Sequence, residues 1–323
     1  MFPLIAVCTQ YCNKYRVQLV PDKTKLLVFS NTDDIEKVVY PKLISSISLN
    51  SKDLEFSEEA EHLGILRSTK PGNMSNIFAR VSAYKKQLFS LLPAGLALHH
   101  HAHPVSCLRV ERLYALPVLL SGLGALVLSN VEDKMIYNCH KNTLSRLMKL
   151  HEKTPACAVF FLAGSLPSTA FLHLRQLSLF GMVSNLSGNI LNVLARQILI
   201  EARPSSRSWF RGVRELCVKY DLPHPLHLLD NPMPPEKFKL LCKQKVLEFW
   251  HQKLSDESLL SSLRYLQPRY LSLSDPHPIW TSLDGNPYQA KAAHIQALFL
   301  SGRYRTERMC RHRAHFSPLQ RAE

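Results

Sequence analysis

The chain has 323 residues, of which 46% are hydrophobic, and its formal net charge is +15. This length and apolar content allow two domains with a real core and exclude a chain that stays disordered. The positive charge indicates an acidic partner, and both nucleic acid and an anionic membrane surface qualify.

Eight cysteines are spread along the chain without a CxxC pair or the dense spacing of a disulfide framework. Such cysteines are typical of reduced thiols, most of them in the core. The opening residues, MFPLIAVCTQ, lack the basic segment and the long apolar run of a signal peptide. We therefore predict an intracellular protein, cytoplasmic or nuclear.

In chain order, residues 1–68 are predicted to form a small α+β piece. An amphipathic helix ends before Pro21, and short apolar runs predict strands at residues 26–29, 43–49 and 54–56. Residues 63–66 are predicted to close an antiparallel ribbon.

Residues 69–200 are predicted to form a helical domain. After Pro71 and Gly72, with Asn73 or Ser75 as the N-cap, apolar side chains step by four and three along one helix face. They are Ile77, Val81, Tyr84, Leu88 and Leu91. Lys85 and Lys86 fall beside this stripe.

A second helix is predicted over residues 132–150. Its packed face carries Ile136, Cys139, Thr143, Leu147 and Leu150. Lys134, Lys141 and Lys149 lie on the opposite face in this prediction. A helix with one packed and one basic face is suited to contact phosphates, although a solvated surface has the same pattern.

The remainder of the chain is predicted to contain a linker and a third region. Residues 201–236 are rich in proline and loop residues, which predicts a proline-rich linker. Residues 237–323 are predicted to form a C-terminal helical region that ends in a basic tail.

Several segments resemble the reverse transcriptases of non-LTR (LINE-like) retrotransposons, in the order that this family has after its catalytic aspartate pair. YCNKYRVQLVPDKTKLLVFS at residues 11–30 and AEHLGILRS at residues 60–68 resemble the end of the palm and the primer grip. PGNMSNIFARVSAYKKQL resembles the opening of the helical thumb. LYALPVLLSGLGALVL, KTPACAVFFLAGSLPS, LSLFGMV and IQALFLSGRYRTERMCRH follow in family order.

The resemblance implies a mainly α fold with a small N-terminal α+β piece: a partial palm, a helical thumb and C-terminal helices. It implies that the chain is the C-terminal fragment of an RNA-directed DNA polymerase that uses Mg²⁺. The catalytic aspartates are missing from this chain, so we predict no catalytic residue, no cofactor and no small-molecule substrate. The implied partner is an RNA/DNA template-primer duplex.

The resemblance also implies which residues contact nucleic acid. Lys23 and Lys25 correspond to the region near the phosphates of the incoming nucleotide, and Gly64 to a strand that the nucleic-acid backbone approaches. Lys85, Lys86, Lys134, Lys141 and Lys149 are expected to hold the duplex backbone without selecting a sequence.

Other groups of polar residues predict no chemistry of their own. Asp33 and Asp34 follow the Lys-Thr-Lys segment and lack an upstream acidic partner, so we interpret them as a loop. The histidines at 99–101 and 103 and the set Cys310, His312 and His315 fall short of a closed metal site. We predict no metal site.

Two other classes remain open. Charge-free stretches at residues 113–131 and 157–174 are long enough for a membrane-associated helical protein, but proline and glycine interrupt both, so we predict no membrane partner. The other alternative is a domesticated or relic helical module that binds another protein.

Overall fold

The computed structural model describes residues 2–17, 20, 24–27, 48–49, 52–62, 64–69, 72–93, 103–186, 190–201, 208–259, 263, 265–266, 271–283 and 287–302. They belong to two compact units, Met1–Asn76 and Ile77–Glu323. The described part is mainly helical, with its strands confined to the first unit. The predicted fold class, mainly α with a small N-terminal α+β piece, is confirmed.

The first unit combines one helix with short strands. Helix α1 spans Phe2–Tyr15, and the strands are β1 (Lys25–Leu26), β2 (Ser48–Leu49), β3 (Lys52–Asp53), β4 (Glu55–Phe56), β5 (Glu59–His62) and β6 (Ile65–Ser68). β1 pairs with β4 in parallel, whereas β2–β3 and β5–β6 are antiparallel pairs.

The ribbon predicted at residues 63–66 is a hairpin whose turn falls inside that range. Strands β5 and β6 pair from Glu59 opposite Ser68 to His62 opposite Ile65. Gly64 lies in the turn with φ of 76°, a backbone conformation that favours glycine. The expectation that Gly64 lies within a strand is therefore wrong, because the chain reverses there.

The second unit is helical. Its elements are α2 (Met74–Ser90, which begins in the first unit), α3 (Pro104–Val110), a π-helical segment (Glu111–Ala115), α4 (Leu116–Leu119), a 3₁₀ turn (Leu123–Ala125), α5 (Asn130–Leu147), α6 (Ala156–Ala163), α7 (Ser168–Ser184), α8 (Ile190–Glu201), α9 (Trp209–Lys219), α10 (Pro225–Asp230), α11 (Pro235–Ser258), α12 (Pro278–Thr281) and α13 (Pro287–Leu300).

Helix α6 lies at the centre of the core. Its sequence, ACAVFFLA, is apolar on every side, and from Cys157 to Ala163 every residue is buried. α5 and α11 pack against it, and α7 packs against both of those helices. One hydrophobic cluster extends from Cys107 to Ala297, so the predicted thumb-like region and the predicted C-terminal region share a core.

Helices occupy most of the segment predicted as a linker, residues 201–236. α9 and α10 fall within it, and Val213, Cys217 and Leu228 are buried in the shared core. Pro225 is the first residue of α10, a position where proline is favoured because its missing N–H has no helical partner to lose. The proline content there marks helix starts as well as loops.

Within the described ranges, no single helix is both long enough and apolar enough to cross a membrane. The pair α6 and α7 meets that length and composition criterion only when taken together, and it bends by 69° at the break.

Candidate nucleic-acid interface

Helix α2 carries an exposed stripe of two aromatic rings and one lysine. Phe78, Lys85 and Phe89 are separated by seven and four residues, so they lie on the same face of the helix. The two Phe side chains are 56% and 64% exposed, and Lys85 is exposed between them. The opposite face is buried as predicted, with Ile77 and Tyr84 fully enclosed.

A groove of about 550 Å³ runs between α2 and α5 beside this stripe. Lys85 lines it from α2, and Arg146 lines it from α5. The other lining residues are Val81, Leu88, Phe89, Leu92, Met135, Cys139, Asn142, Thr143 and Leu147. No acidic side chain is among the described residues that line this groove, so its charge is positive.

Both cations of the groove affect the pKa of the Cys139 thiol. Burial raises the pKa of Cys139, and the Glu111 carboxylate adds to this, while the nearby Lys85 and Arg146 lower it. Both positive charges are therefore close to the same point in the groove. Because the net effect is a raised pKa, the thiol stays protonated near neutral pH and is not poised as a nucleophile.

A buried polar cluster connects α2 to α5 and holds the groove in shape. The hydroxyl of Tyr84 donates to Oε1 of Glu111 over 2.7 Å, and Nε2 of His140 lies 3.7 Å from the same oxygen. All three side chains are at most 1% exposed. Burial and the Glu111 carboxylate raise the pKa of Tyr84 well above its ordinary value, so the hydroxyl remains a donor.

Glu111 is the first residue of the π-helical segment. A π segment widens a helix by one residue and re-aims its side chains, and such segments often occur at functional sites. Here the re-aimed Glu111 also borders a cavity of about 240 Å³, together with Arg109, Arg112 and Asp275. In this fold the segment directs a carboxylate between α2 and α5.

The predicted lysines of α5 do not form one basic face. Lys134 and Lys141 share a flank of the helix that is turned away from the groove, and Nζ of Lys141 donates to the carbonyl of Glu152 over 3.3 Å. Lys149 lies beyond the helix, which ends at Leu147. The predicted helix 132–150 is therefore too long at its end, and the shared face of the three lysines is a wrong prediction.

Lys149 lies near other helices instead. It lowers the pKa of Cys107 on α3, against the larger effect of burial, and it adds to the effect of burial in lowering the pKa of His294 on α13. Lys86 is exposed on α2, next to Lys85.

The remaining predicted contacts belong to the first unit. Lys25 is exposed in β1 and pairs in register with Glu55 of β4, and Gly64 lies in the β5–β6 turn. Lys23 lies outside the described residues, as do Asp33, Asp34 and Cys310.

Three residues of the interface were missed in the sequence. Phe78 lies seven residues before Lys85 and Phe89 four residues after it, a pattern that is visible in SNIFARVSAYKKQLF. Arg146 lies seven residues after Cys139, which the sequence does place on the packed face of α5. Only the pairing of α2 with α5 brings Arg146 to the groove of Lys85.

A second, more open depression of about 600 Å³ lies near α4 and α7 and carries Arg112, Arg175 and Lys239. One of its cations already has a partner, because Nη1 of Arg175 donates to the carbonyl of Leu120 over 2.8 Å. Arg175 is therefore less available to bind a ligand than the number of cations in this depression indicates.

The magnesium of the implied parent enzyme has no site in the described part of the chain. Two-metal catalysis needs carboxylates from separate elements that bridge both ions. Among the described residues, no group of three or more His, Cys, Asp and Glu side chains is placed to hold a metal ion. These residues do not fit the catalytic centre of a polymerase.

No protein-family model, curated protein or solved structure matches this chain.

Proposed function

We propose that this chain binds the sugar-phosphate backbone of a nucleic acid through the α2–α5 groove. In this proposal it is the part of a non-LTR retrotransposon reverse transcriptase that follows the catalytic aspartates, and α2 is the first helix of the thumb. One observation supports it most strongly: Lys85 and Arg146 line one groove whose described lining contains no acidic side chain, beside two exposed phenylalanines.

The two cations of the groove contact phosphates in different ways. The guanidinium of Arg146 matches two phosphate oxygens at once, whereas Lys85 acts as a mobile point charge. Such contacts position a duplex without selecting its sequence. Phe78 and Phe89 add apolar faces on which an unpaired base stacks. An RNA/DNA template-primer with a single-stranded overhang offers both features.

Catalysis is not part of the proposal. The chain has no counterpart of the catalytic aspartates, so we expect no polymerase activity from it alone. Lys86, next to Lys85 on α2, adds positive charge near the interface and strengthens binding through a long-range attraction that salt screens.

The test compares two double variants that remove the same amount of charge. K85Q/R146Q empties the groove of cations, whereas K237Q/K291Q removes two exposed lysines of α11 and α13. Binding to a fluorescent RNA/DNA hybrid with an overhang is measured by anisotropy at low salt. We expect K85Q/R146Q to weaken binding by about 100-fold, since a charge-assisted contact is worth roughly 1.5–3 kcal/mol.

The affinity of the control variant should fall threefold or less, which is about the effect of lowering the net charge without removing a direct contact. Equal losses in the two double variants would show that binding depends on total charge and not on the groove. F78A/F89A should weaken binding of the overhang more than binding of a blunt duplex, because stacking needs unpaired bases.

A further inference from the structure

Two lysines from different helices lie over one buried aromatic cluster, away from the groove. Lys219 ends α9, and its Nζ lies 5.3 Å, 5.2 Å and 5.6 Å from the ring centroids of Tyr220, Phe249 and Trp250. Lys253 of α11 places its Nζ 4.8 Å from the Trp250 ring. Both ammonium groups thus lie over the same indole.

Hydrogen bonds hold the rings beneath these lysines in place. Nε1 of Trp250 donates to the hydroxyl of Tyr220 over 3.1 Å, and that hydroxyl lies 2.6 Å from Nδ1 of His173. Since an indole N–H only donates, the tyrosine accepts from it and has its own proton free for His173. Trp250 and Tyr220 are 3% and 2% exposed, whereas Lys219 and Lys253 are exposed.

The charges of this lysine pair are not balanced. Neither ammonium forms an ion pair within 4 Å with a carboxylate of the described residues. The carboxylate that acts on both is Asp133 of α5, and its Oδ1 accepts a hydrogen bond from Thr169 over 2.9 Å. Burial, with the adjacent Lys253, lowers the pKa of Lys219, and Asp133 offsets only part of this.

We propose that Lys219 and Lys253 form a binding site for a phosphate group. A phosphate dianion between the two ammonium groups removes their repulsion and accepts hydrogen bonds from both. Asp133 competes with the anion, so the site favours a dianion over a monoanion such as chloride. The source is either a free phosphate or a phosphodiester of a bound strand. The site goes beyond the proposed function, because no residue of the α2–α5 groove takes part.

Trp250 is one of the three tryptophans of the chain, and its indole lies under both ammonium groups. Inorganic phosphate is titrated against the tryptophan fluorescence of the whole chain, with sodium chloride held at matched ionic strength as the reference. We expect a saturable change with phosphate that chloride does not produce. K219Q and K253Q should each raise the phosphate Kd by about tenfold, the effect of one charge-assisted contact.

D133N separates binding from a structural role. Removal of the competing carboxylate should lower the phosphate Kd several-fold, while an asparagine oxygen still accepts from Thr169. If the cluster has only a structural role, the D133N variant should lose phosphate binding or show none at all.

Labelling of the unmodified protein gives a second readout that requires no variant to fold. An N-hydroxysuccinimide acetate reagent modifies exposed lysines, and mass spectrometry measures each rate. Phosphate should slow the acetylation of Lys219 and Lys253 but not that of Lys237 and Lys291. Equal rates with and without phosphate, or no saturable fluorescence change, would overturn the proposal.

An oligothymidylate distinguishes the two sources. If phosphate competes with it and K219Q/K253Q weakens its binding, the phosphodiester backbone is the ligand. If phosphate binds but the oligonucleotide is unaffected, the ligand is a free phosphate group. K85Q/R146Q should leave the phosphate titration unchanged. If nucleic-acid binding by the groove is wrong, the hybrid-binding assay shows it, whereas the phosphate titration shows whether this second site is wrong.

Discussion

Lys149 occupies a backbone conformation that L-residues rarely adopt. Its φ is 56°, and it follows the cap of α5 in a closing turn where Leu150 N–H donates to Ser145 O over 2.8 Å and Lys149 N–H donates to Arg146 O over 3.0 Å. These two bonds define the Schellman motif, whose left-handed position is usually glycine. A lysine there carries backbone strain of roughly 1 kcal/mol.

We predict that K149G leaves the free energy of unfolding unchanged or raises it by up to about 1 kcal/mol, since relief of this strain is partly offset by the entropy of glycine in the unfolded chain. K149V should lower it by about 1 kcal/mol, because a β-branched residue fits this conformation worst. Urea unfolding at neutral pH measures both. A K149G variant less stable than K149V would contradict the assigned turn.

At the scale of single residues, the sequence predicts burial better than it predicts function. Ile77, Tyr84 and Ile136 are identified by spacing alone, because a helix face repeats every three to four residues. The end of α5 is missed because the expected signal, a glycine, is replaced by Lys149. Arg146 is missed because its role depends on which helix lies opposite.

At the scale of elements, α7 and α11 pack unusually closely. A Cβ atom added to Gly181 of α7 would lie 2.6 Å from Cδ1 of Phe238 on α11. Gly181 therefore serves as the contact point of two long core helices. Gly212 of α9 is a natural comparison, because a Cβ there would meet nothing within 4 Å.

We predict that G181A lowers the free energy of unfolding by about 1–3 kcal/mol through overpacking. G212A should raise it by up to about 1 kcal/mol, because alanine is the better helix former. Thermal and urea unfolding of both variants provide the comparison. In G181A/F238L the smaller side chain removes the clash, so the two losses should not add; strict additivity would mean that this contact does not limit the packing.

Proline begins α10, a helix that lies wholly within the segment predicted as a linker. DLPHPLHLLDNPMPPEK reads as a loop by composition, yet Pro225 and Pro235 begin α10 and α11. Proline ends a helix from inside but suits its first turn, and composition does not distinguish these positions. The start of α5 was recoverable, because Ser129 and Glu132 form a capping box and mark it two residues earlier than predicted.

At the scale of the whole molecule, buried histidines couple stability to pH. Burial, with a contribution from Lys219, lowers the pKa of His173 to about 3, and burial also lowers the pKa of His277 and His294. Below pH 6.5 the unfolded chain binds protons that these folded sites do not bind. Stability is therefore lost as the pH falls from about 6.5 toward 3.

We predict a loss of up to about 1.4 kcal/mol per pH unit from His173 over this range. Urea unfolding at pH 7 and at pH 4.5 measures the difference. H173Q should reduce it, because glutamine does not titrate, whereas H151Q, at an exposed position, should leave it unchanged. The same pH dependence in H173Q and in the parent chain would show that His173 is not protected from protonation.

Charge is the other property of the whole molecule, and the described lining of the α2–α5 groove carries two cations, Lys85 and Arg146, and no acidic side chain. Release of counterions from a bound nucleic acid makes affinity fall with salt in proportion to the number of phosphates contacted. A patch that binds an apolar protein partner would show little such dependence.

The most direct test is therefore the affinity for an RNA/DNA hybrid from about 50 to 200 mM salt, where each phosphate contact contributes a slope of about −0.9 in log affinity against log salt. We predict a slope of roughly −2 or steeper for the chain, reduced by about 2 in K85Q/R146Q. No binding at the lowest salt, or an affinity that salt does not change, would contradict nucleic-acid binding and favour the protein-interaction alternative.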